Sequence, residues 1–211
     1  MGIKGITRTL KTTRGIMIAT LLALAGLGGA SALGTFATFT TTASVSQSAV
    51  TSSTLTLSIP GAGATNRLTL GASNIVPGDT MQRAVDLSNS GTDNLASITL
   101  TTTAGTTSLL DTDATNGLQL TIDRCSVAWT ESGTTPAFTY TCGGSTATVL
   151  ASRAVIGSTL ALSNLASLTS GSSDHLRVTL TFPSTAGNTL QGLSSAITYA
   201  FTGTQRAATN K

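Results

Sequence analysis

The side chains that could perform acid, base or metal chemistry are few in this sequence and lie far apart. One histidine, His175, occurs in 211 residues, so the two-histidine zinc motif of metallopeptidases cannot form. No G-x-S-x-G nucleophile motif and no phosphate-binding P-loop is present, and the eight acidic residues are scattered. Asp111 and Asp113 have the spacing of the first ligands of a calcium loop, but its later ligands are missing. We predict no catalytic residue, no cofactor and no metal site, and interpret both aspartates as loop residues, with a metal as the alternative.

The two cysteines are the pair whose type and spacing indicate covalent chemistry. Cys125 and Cys142 are 17 positions apart, and the residues between them read as an arm, a turn and a return arm. An even cysteine count in an exported protein favours a disulfide, here one that holds the two arms of a β-hairpin together. Two thiols and one distant histidine do not fill the four positions of a structural zinc site.

Three of the few aromatic residues lie inside this cysteine-bounded segment. Aromatic residues make up 4% of the chain, yet Trp129, Phe138 and Tyr140 all occur between the two cysteines. Such a concentration predicts either a small core that caps one end of the domain or an aromatic patch that binds a partner.

The first 37 residues have the order of a secretory signal peptide. Four basic residues precede an uncharged apolar run at 16–33, and small residues follow that run. We predict a cleaved N-terminal signal helix, with a retained membrane anchor as the alternative. Four of the eleven basic residues belong to this leader, which leaves seven basic residues against eight acidic ones. Because those seven are scattered singly, we do not expect binding to nucleic acid.

Short alternating runs beyond the leader predict an all-β domain. Apolar and polar side chains alternate with a period of two, which places one set in a core and the other in water. Turn clusters rich in Gly, Pro, Ser and Asp separate the runs, as in an antiparallel β-sandwich. The runs are 55–59, 81–88, 95–102, 118–123, 176–182 and 196–204. Residues 105–117 break the alternation and predict a loop with a helical turn.

Several of these stretches also carry the motifs of one known family. The residues Asn74, Pro77, Gly78 and Asp79 form an Asn-x-x-Pro-Gly-Asp motif, which by itself predicts a tight turn. The other motifs are the leader end at 34–39, a Leu-x-Leu strand at 53–58, two strands at 85–91 and 95–100, and a final strand at 197–205. Together they resemble the TasA/camelysin family of secreted, signal-peptidase-processed biofilm-matrix proteins. The Thr/Ala/Gly-rich composition resembles an actinobacterial-type member.

The resemblance implies a fold, a processing step and a location. The fold is a jelly-roll-like β-sandwich, and the leader is cleaved near Ala37, Thr38 and Phe39. The protein is then extracellular, at the cell surface or in the biofilm matrix. Several members assemble into fibres in which the N-terminal strand of one subunit fills a groove in its neighbour, while camelysin itself is described as a surface metallopeptidase. The predicted division is a signal peptide at 1–37, a donor-strand segment at 38–54, a sandwich at 55–205 with a cysteine hairpin at 118–146, and a tail at 206–211.

The segment 38–54 has the properties that a donor strand needs. It carries no charge and no proline, and Phe39, Val45 and Val50 provide apolar anchors. Such a strand can add to an open sheet edge through main-chain hydrogen bonds, and a head-to-tail contact that does not close produces filaments. We predict a structural subunit, not an enzyme, whose partner is a second copy of itself, with other matrix or cell-wall components as further partners.

Alternatives stay open for both the segment and the protein. The segment could be a floppy terminus or an edge strand within its own chain. The protein could be a secreted metallopeptidase of the camelysin type, or a monomeric adhesin that uses the aromatic hairpin. An uncleaved leader would instead make it a membrane-tethered surface domain.

Overall fold

The alternating runs form antiparallel strands in the computed structural model of the chain, which describes residues 40–44, 48–49, 51–52, 55–69 and 75–207, with side chains from Leu57 onward. The strands are β1 (Thr40–Ser44), β2 (Ser48–Ala49), β3 (Thr51–Ser52), β4 (Leu55–Ser58), β5 (Thr80–Asn89), β6 (Leu95–Thr106), β7 (Gln119–Cys125), β8 (Trp129–Thr134), β9 (Ala137–Cys142), β10 (Thr146–Ala154), β11 (Gly157–Ala161), β12 (Ser173–Thr181) and β13 (Ala196–Gln205). A helical turn, α1 (Leu109–Thr112), and a 3₁₀ turn (Asn188–Leu190) are also present. No helix among these described residues is long and apolar enough to cross a membrane.

The strands form two large sheets and one separate hairpin. The five-stranded sheet has the order β11-β6-β13-β1-β2, and the six-stranded sheet has the order β10-β7-β12-β5-β4-β3. Within the described residues, strands β8 and β9 pair with each other and with no other strand. The paired strands run antiparallel throughout, so the predicted antiparallel all-β fold is confirmed. The jelly-roll connectivity stays a prediction, and the signal helix lies outside the described residues.

Side chains that face inward from the two large sheets meet in one core. Leu100 and Phe201 come from the five-stranded sheet, Ile122 and Leu176 from the six-stranded sheet, and all four are fully buried. Along strand β12, buried residues alternate with exposed or part-exposed ones from the first residue to the last, as a period of two requires. Fully burying a Leu or Phe side chain contributes about 1.5–3 kcal/mol, so this core is the main source of stability for the sandwich.

The predicted break in the alternation contains the helical turn α1. Ser108 caps it, since its Oγ accepts the amide of Leu110 at 3.1 Å and its own amide donates to Asp111 Oδ2 at 2.7 Å. The carboxylate of Asp113 accepts the amide of Asn116 at 2.9 Å, and this bond is the largest of the causes that hold its pKa below the ordinary value. Both carboxylates therefore organise the helical turn and the loop after it.

Strands β10 and β11 do not follow from the sequence pattern. Strand β10 pairs with β7 with register shifts after Thr148 and after Leu150, and β11 pairs with β6 with a shift after Gly157. Each shift moves the following side chains to the opposite face of the strand, so the sequence loses its period of two.

Candidate functional site

The cysteine hairpin lies across the outer face of the six-stranded sheet. Its strands pair from Trp129 opposite Cys142 to Thr134 opposite Ala137. Strand β9 packs against β5, and β8 packs against β12. The predicted disulfide between Cys125 and Cys142 forms, with 5.7 Å between the two Cα atoms, but it joins β9 to the last residue of β7 instead of joining the two arms of the hairpin. The base of the hairpin is therefore covalently attached to the sheet that the hairpin covers.

The tip of the hairpin depends on Gly133. Its φ of 86° lies in the left-handed region, and a Cβ at this position would collide with the carbonyl oxygen of Ala137. Glycine is the residue that adopts this conformation without steric cost. The chain can therefore reverse at Thr135–Pro136, which brings β9 back alongside β8.

The three aromatic side chains of the hairpin pack toward the sheet. Phe138 and Tyr140 are 8% and 5% exposed and contact Ala84 of β5, and the part-buried Trp129 packs beside them. The indole Nε1 of Trp129 donates a hydrogen bond to the carbonyl oxygen of His175 at 2.9 Å. This burial favours a small core over an exposed binding patch, and it places that core on a sheet face instead of at one end of the sandwich.

Arg67, Glu131 and Tyr140 connect the hairpin to the loop that precedes β5. Arg67 donates from Nε and Nη2 to the two carboxylate oxygens of Glu131, at 2.9 and 2.7 Å. The hydroxyl of Tyr140 donates to Glu131 Oε2 at 2.9 Å. The guanidinium of Arg67 also lies 4.8 Å from the centre of the Phe138 ring. A bidentate arginine pair with a further donor is among the stronger polar contacts in proteins, so Glu131 is the central acceptor of the hairpin.

Arg177 connects the hairpin to the strands beneath it. Its guanidinium carbon lies 4.5 Å from the centre of the Trp129 ring, which is a cation–π contact. Its Nη2 donates to Asp123 Oδ2 on β7 at 3.0 Å, and its Nη1 donates to the carbonyl oxygen of Tyr140 at 3.4 Å. Arg177 faces the hairpin because the alternate residues of β12 point into the core.

The acidic and phenolic groups of the hairpin have shifted pKa values. The hydrogen bond from Arg67 is the largest of the causes that lower the pKa of Glu131, and Tyr140 acts in the same direction. Burial, followed by the hydrogen bond to Glu131, raises the pKa of Tyr140 to about 12. Glu131 is therefore held ionised and Tyr140 held neutral at neutral pH.

Replacing Glu131 with glutamine should lower the melting temperature near neutral pH, and the difference from wild type should shrink in acid. Because the pKa of Glu131 in the folded protein lies below its ordinary value of 4.5, the unfolded protein binds more protons between these two values. The stabilisation that the ionised Glu131 provides is present above pH 4.5, and it is lost as the pH falls through the lowered pKa of Glu131. Melting curves of both proteins between neutral and strongly acidic pH test this expectation, and a difference that does not change with pH would contradict it.

The side chains that could bind a metal do not converge. His175 Nδ1 lies 2.7 Å from Asp86 Oδ1, and both cysteines are oxidised in the disulfide. Across the described parts of the chain, no three His, Cys, Asp or Glu side chains lie close enough together to hold a metal ion. A catalytic zinc site uses three protein ligands, so these donors do not fit one.

The N-terminal strand pairs with the last strand of the same chain. Thr40 of β1 lies opposite Thr204 of β13, and Ser44 lies opposite Ala200. Strand β1 thus occupies the edge of β13 that faces away from β6. Of the alternatives that the sequence left open, this pairing within the same chain matches the intramolecular strand, although β1 lies between β13 and the outermost strand, β2. The predicted anchors Phe39, Val45 and Val50 and the predicted cleavage residues Ala37, Thr38 and Phe39 are outside the described residues.

The Pro77-Gly78-Asp79 part of the family motif forms a turn that leads into β5. Asp79 Oδ2 accepts the amide of Val76 at 2.9 Å, and Gly78 has a φ of 100°. The amide of Gly78 donates to the carbonyl oxygen of Phe182 at 2.8 Å, which connects the turn to the residue after β12. Asn74 of the motif lies outside the described residues.

Sequence inspection finds the cysteines and aromatic residues of the hairpin but misses its charged residues. Arg67, Glu131 and Arg177 are separated by tens of residues, and no local pattern connects them. The sequence offers one signal for them, which is that charged residues are rare. They make up only 9% of this chain, and Glu131 is its one glutamate.

Comparison with known proteins identifies the family. A family model described as camelysin metallo-endopeptidase matches residues 9–210, which is nearly the whole chain. No curated protein matches the chain. The family predicted from the turn and strand motifs is therefore confirmed, while the actinobacterial type stays a prediction. The chain belongs to the camelysin metallo-endopeptidase family.

Proposed function

We propose that this protein is a secreted structural subunit of extracellular fibres or biofilm matrix, and that it assembles by N-terminal donor-strand addition. The observation that carries the proposal is the pairing of β1 with β13. This pairing runs over five residues, from Thr40 opposite Thr204 to Ser44 opposite Ala200, and it is next to the outermost strand, β2, of the five-stranded sheet. Two short uncharged strands at the N-terminal side of the domain, β1 and then β2, therefore extend that sheet beyond β13.

The same pairing can be made by a strand from another copy. Backbone hydrogen bonds do not depend on which chain supplies the strand, and exchange of an identical element is a low-cost route to association. If β1 of each subunit paired with β13 of the next, the contact would be head-to-tail and would not close. Filaments are the expected product of such a contact.

Deleting residues 39–50 from the mature protein should abolish fibres seen by electron microscopy. The deletion removes β1, β2 and all three predicted anchors, so β13 keeps one unpaired edge. A synthetic peptide of residues 38–54 should bind the deleted protein and raise its melting temperature, because the strand is then supplied in trans. Fibres of unchanged yield and shape would contradict the proposal, and so would a peptide that does not bind.

A pair of point variants gives a matched control for this deletion. Successive backbone amides point to opposite edges of a strand, so proline at both Thr41 and Thr42 removes one amide that faces β13. Valine at both positions keeps every amide and favours a strand. Fibres should be lost in the proline variant and kept in the valine variant.

The peptidase alternative rests on the description of the family. The donors in the described residues do not fit a catalytic zinc site, and the chain has one histidine. We expect no casein cleavage by the purified protein with zinc supplied. Cleavage that a chelator abolishes would favour the peptidase instead.

A further inference from the structure

A large apolar cavity lies between the inner faces of the two sheets. It has a volume of about 1040 Å³ and is found at the end of the sandwich where β5 and β13 begin and β12 ends. Met81, Leu180 and Phe182 line it from the six-stranded side, and Ile197 and Tyr199 line it from the five-stranded side. Its volume is at the upper end of the range of about 300–1,000 Å³ that is usual for small-molecule sites. A well-packed core does not leave such a space, because protein interiors contain few voids larger than a water molecule.

Two exposed apolar side chains also line the cavity. Val76 and Leu193 both line it and are 58% and 36% exposed. They are two of the four large apolar side chains that are exposed among the described residues, and the others are Leu109 and Val127. Exposed apolar side chains beside an apolar cavity indicate contact with an apolar partner.

The lining of the cavity carries a single charge in the described part of the chain. Arg83 is 4% exposed, and the other described lining residues are apolar or uncharged polar. Its Nη1 donates to the carbonyl oxygen of Gln82 at 2.6 Å, and its guanidinium carbon also lies 5.8 Å from the centre of the Phe138 ring. Burial lowers the pKa of Arg83 because water solvates its charge poorly there. The described lining therefore combines mainly apolar side chains with uncharged polar ones, one positive charge and no negative charge.

We propose that this cavity binds an amphipathic ligand, a long aliphatic chain that ends in a carboxylate, with the carboxylate at Arg83 and the chain along the apolar walls. A guanidinium presents planar donors that match a carboxylate, and the match is stronger where water is excluded. One positive charge suits a monoanionic carboxylate better than a phosphate, which carries up to two negative charges at neutral pH. The neutral phenol of Tyr199, whose pKa is raised by burial, lines the same cavity as a further hydrogen-bond donor.

Calorimetric titration of the purified secreted protein with hexadecanoate tests the proposal. We expect saturable binding of one molecule per chain, and binding of the methyl ester that is weaker by about tenfold or more, because the ester loses the charge-assisted hydrogen bonds. Octanoate should bind more weakly than hexadecanoate, since each methylene buried adds to the affinity.

Two variants locate the site. Replacing Arg83 with methionine keeps an unbranched side chain and removes the charge, so the preference for the acid over the ester should disappear while ester binding remains. Val76→Asp places a negative charge in the cavity lining and should weaken hexadecanoate binding by about tenfold or more. Val127→Asp is the matched control, because Val127 is 47% exposed and does not line the cavity. Its affinity should equal that of the wild type.

Three results would overturn the proposal. The first is a preference for the acid that survives Arg83→Met. The second is a hexadecanoate affinity that is equal in Val76→Asp and wild type. The third is the absence of saturable binding of both acid and ester. If neither binds and Val76→Asp dissociates oligomers in sedimentation, a second copy of the chain occupies the cavity instead. Fibre formation is tested by the N-terminal deletion and does not depend on this result.

Discussion

Replacing Asp174 with alanine should lower the free energy of unfolding by about 3–5 kcal/mol, because it removes the charged acceptor of a buried polar cluster. The residue is 2% exposed. Its carboxylate accepts the amides of Ala166 and Ser167 at 2.9 and 2.8 Å and the Nη1 of Arg124 at 3.1 Å. Alanine would leave two backbone amides without their acceptor inside the protein, and each such loss costs about 1–3 kcal/mol. The loop between β11 and β12, which contains both amides, should lose its attachment to β12.

Asp123→Ala is the matched control for this prediction. Asp123 lies on β7, next to β12, and also pairs with an arginine, Arg177, at 3.0 Å. Its side chain is 20% exposed, so water can replace the lost contacts, and we expect a loss of about 1 kcal/mol or less. Urea unfolding followed by circular dichroism gives both values. Equal losses in the two variants would show that burial at Asp174 is not the cause.

Replacing both cysteines with serine should lower the free energy of unfolding by about 3 kcal/mol. Cys125 and Cys142 close a loop with a sequence separation of 17, and losing the link gives the unfolded chain more freedom. The effect should appear first in the hairpin, because the disulfide joins its base to β7. Wild type in reducing buffer should behave as the double variant does.

Trp129 reports whether the hairpin stays on the sheet. It is the one tryptophan of the chain, stacks on Arg177 and donates to the carbonyl oxygen of His175. In the double serine variant its emission should shift to the red at lower urea than the loss of β-sheet signal. Arg177→Met keeps the disulfide but removes the stacking and the hydrogen bonds to Asp123 and to the carbonyl oxygen of Tyr140, and it should cost less, about 0.5–2 kcal/mol. If the urea midpoint of the Trp129 emission is the same in the double variant and in the wild type under non-reducing conditions, the disulfide does not hold the hairpin on the sheet.

Local periodicity was sufficient for most of the sandwich. The run at 176–182 predicts the faces of β12 correctly, since Leu176, Val178 and Leu180 are all buried. The segment at 105–117 contains the predicted helical turn. Strands β10 and β11 escape the same reasoning because their register shifts interrupt the alternation. The position of a bulge depends on how the strand pairs with its neighbour, so the sequence of the bulged strand alone does not reveal it.

Some residues of the candidate sites can be found in the sequence, and others are revealed only by the folded structure. The cysteine pair and the aromatic residues of the hairpin are visible in the sequence because they lie within one segment. The contacts that hold the hairpin are not visible, since Arg67 and Glu131 are 64 residues apart and meet only when β5 and the hairpin are both in place. The cavity beside Arg83 also requires both sheets, because its walls come from strands at opposite ends of the chain.

The sequence by itself determined the family, the antiparallel β class and the disulfide. These depend on motif order, on a period of two and on cysteine count, all of which act over short or fixed spacings. The tertiary structure decided where the hairpin lies, which carboxylates are buried, where the cavity lies and which strand β1 pairs with. The physical reason is that these features depend on strand register and sheet packing, which bring together residues from distant parts of the chain. Charges such as Asp174 and Arg83 acquire their roles from the low-dielectric surroundings that only the packed sheets provide.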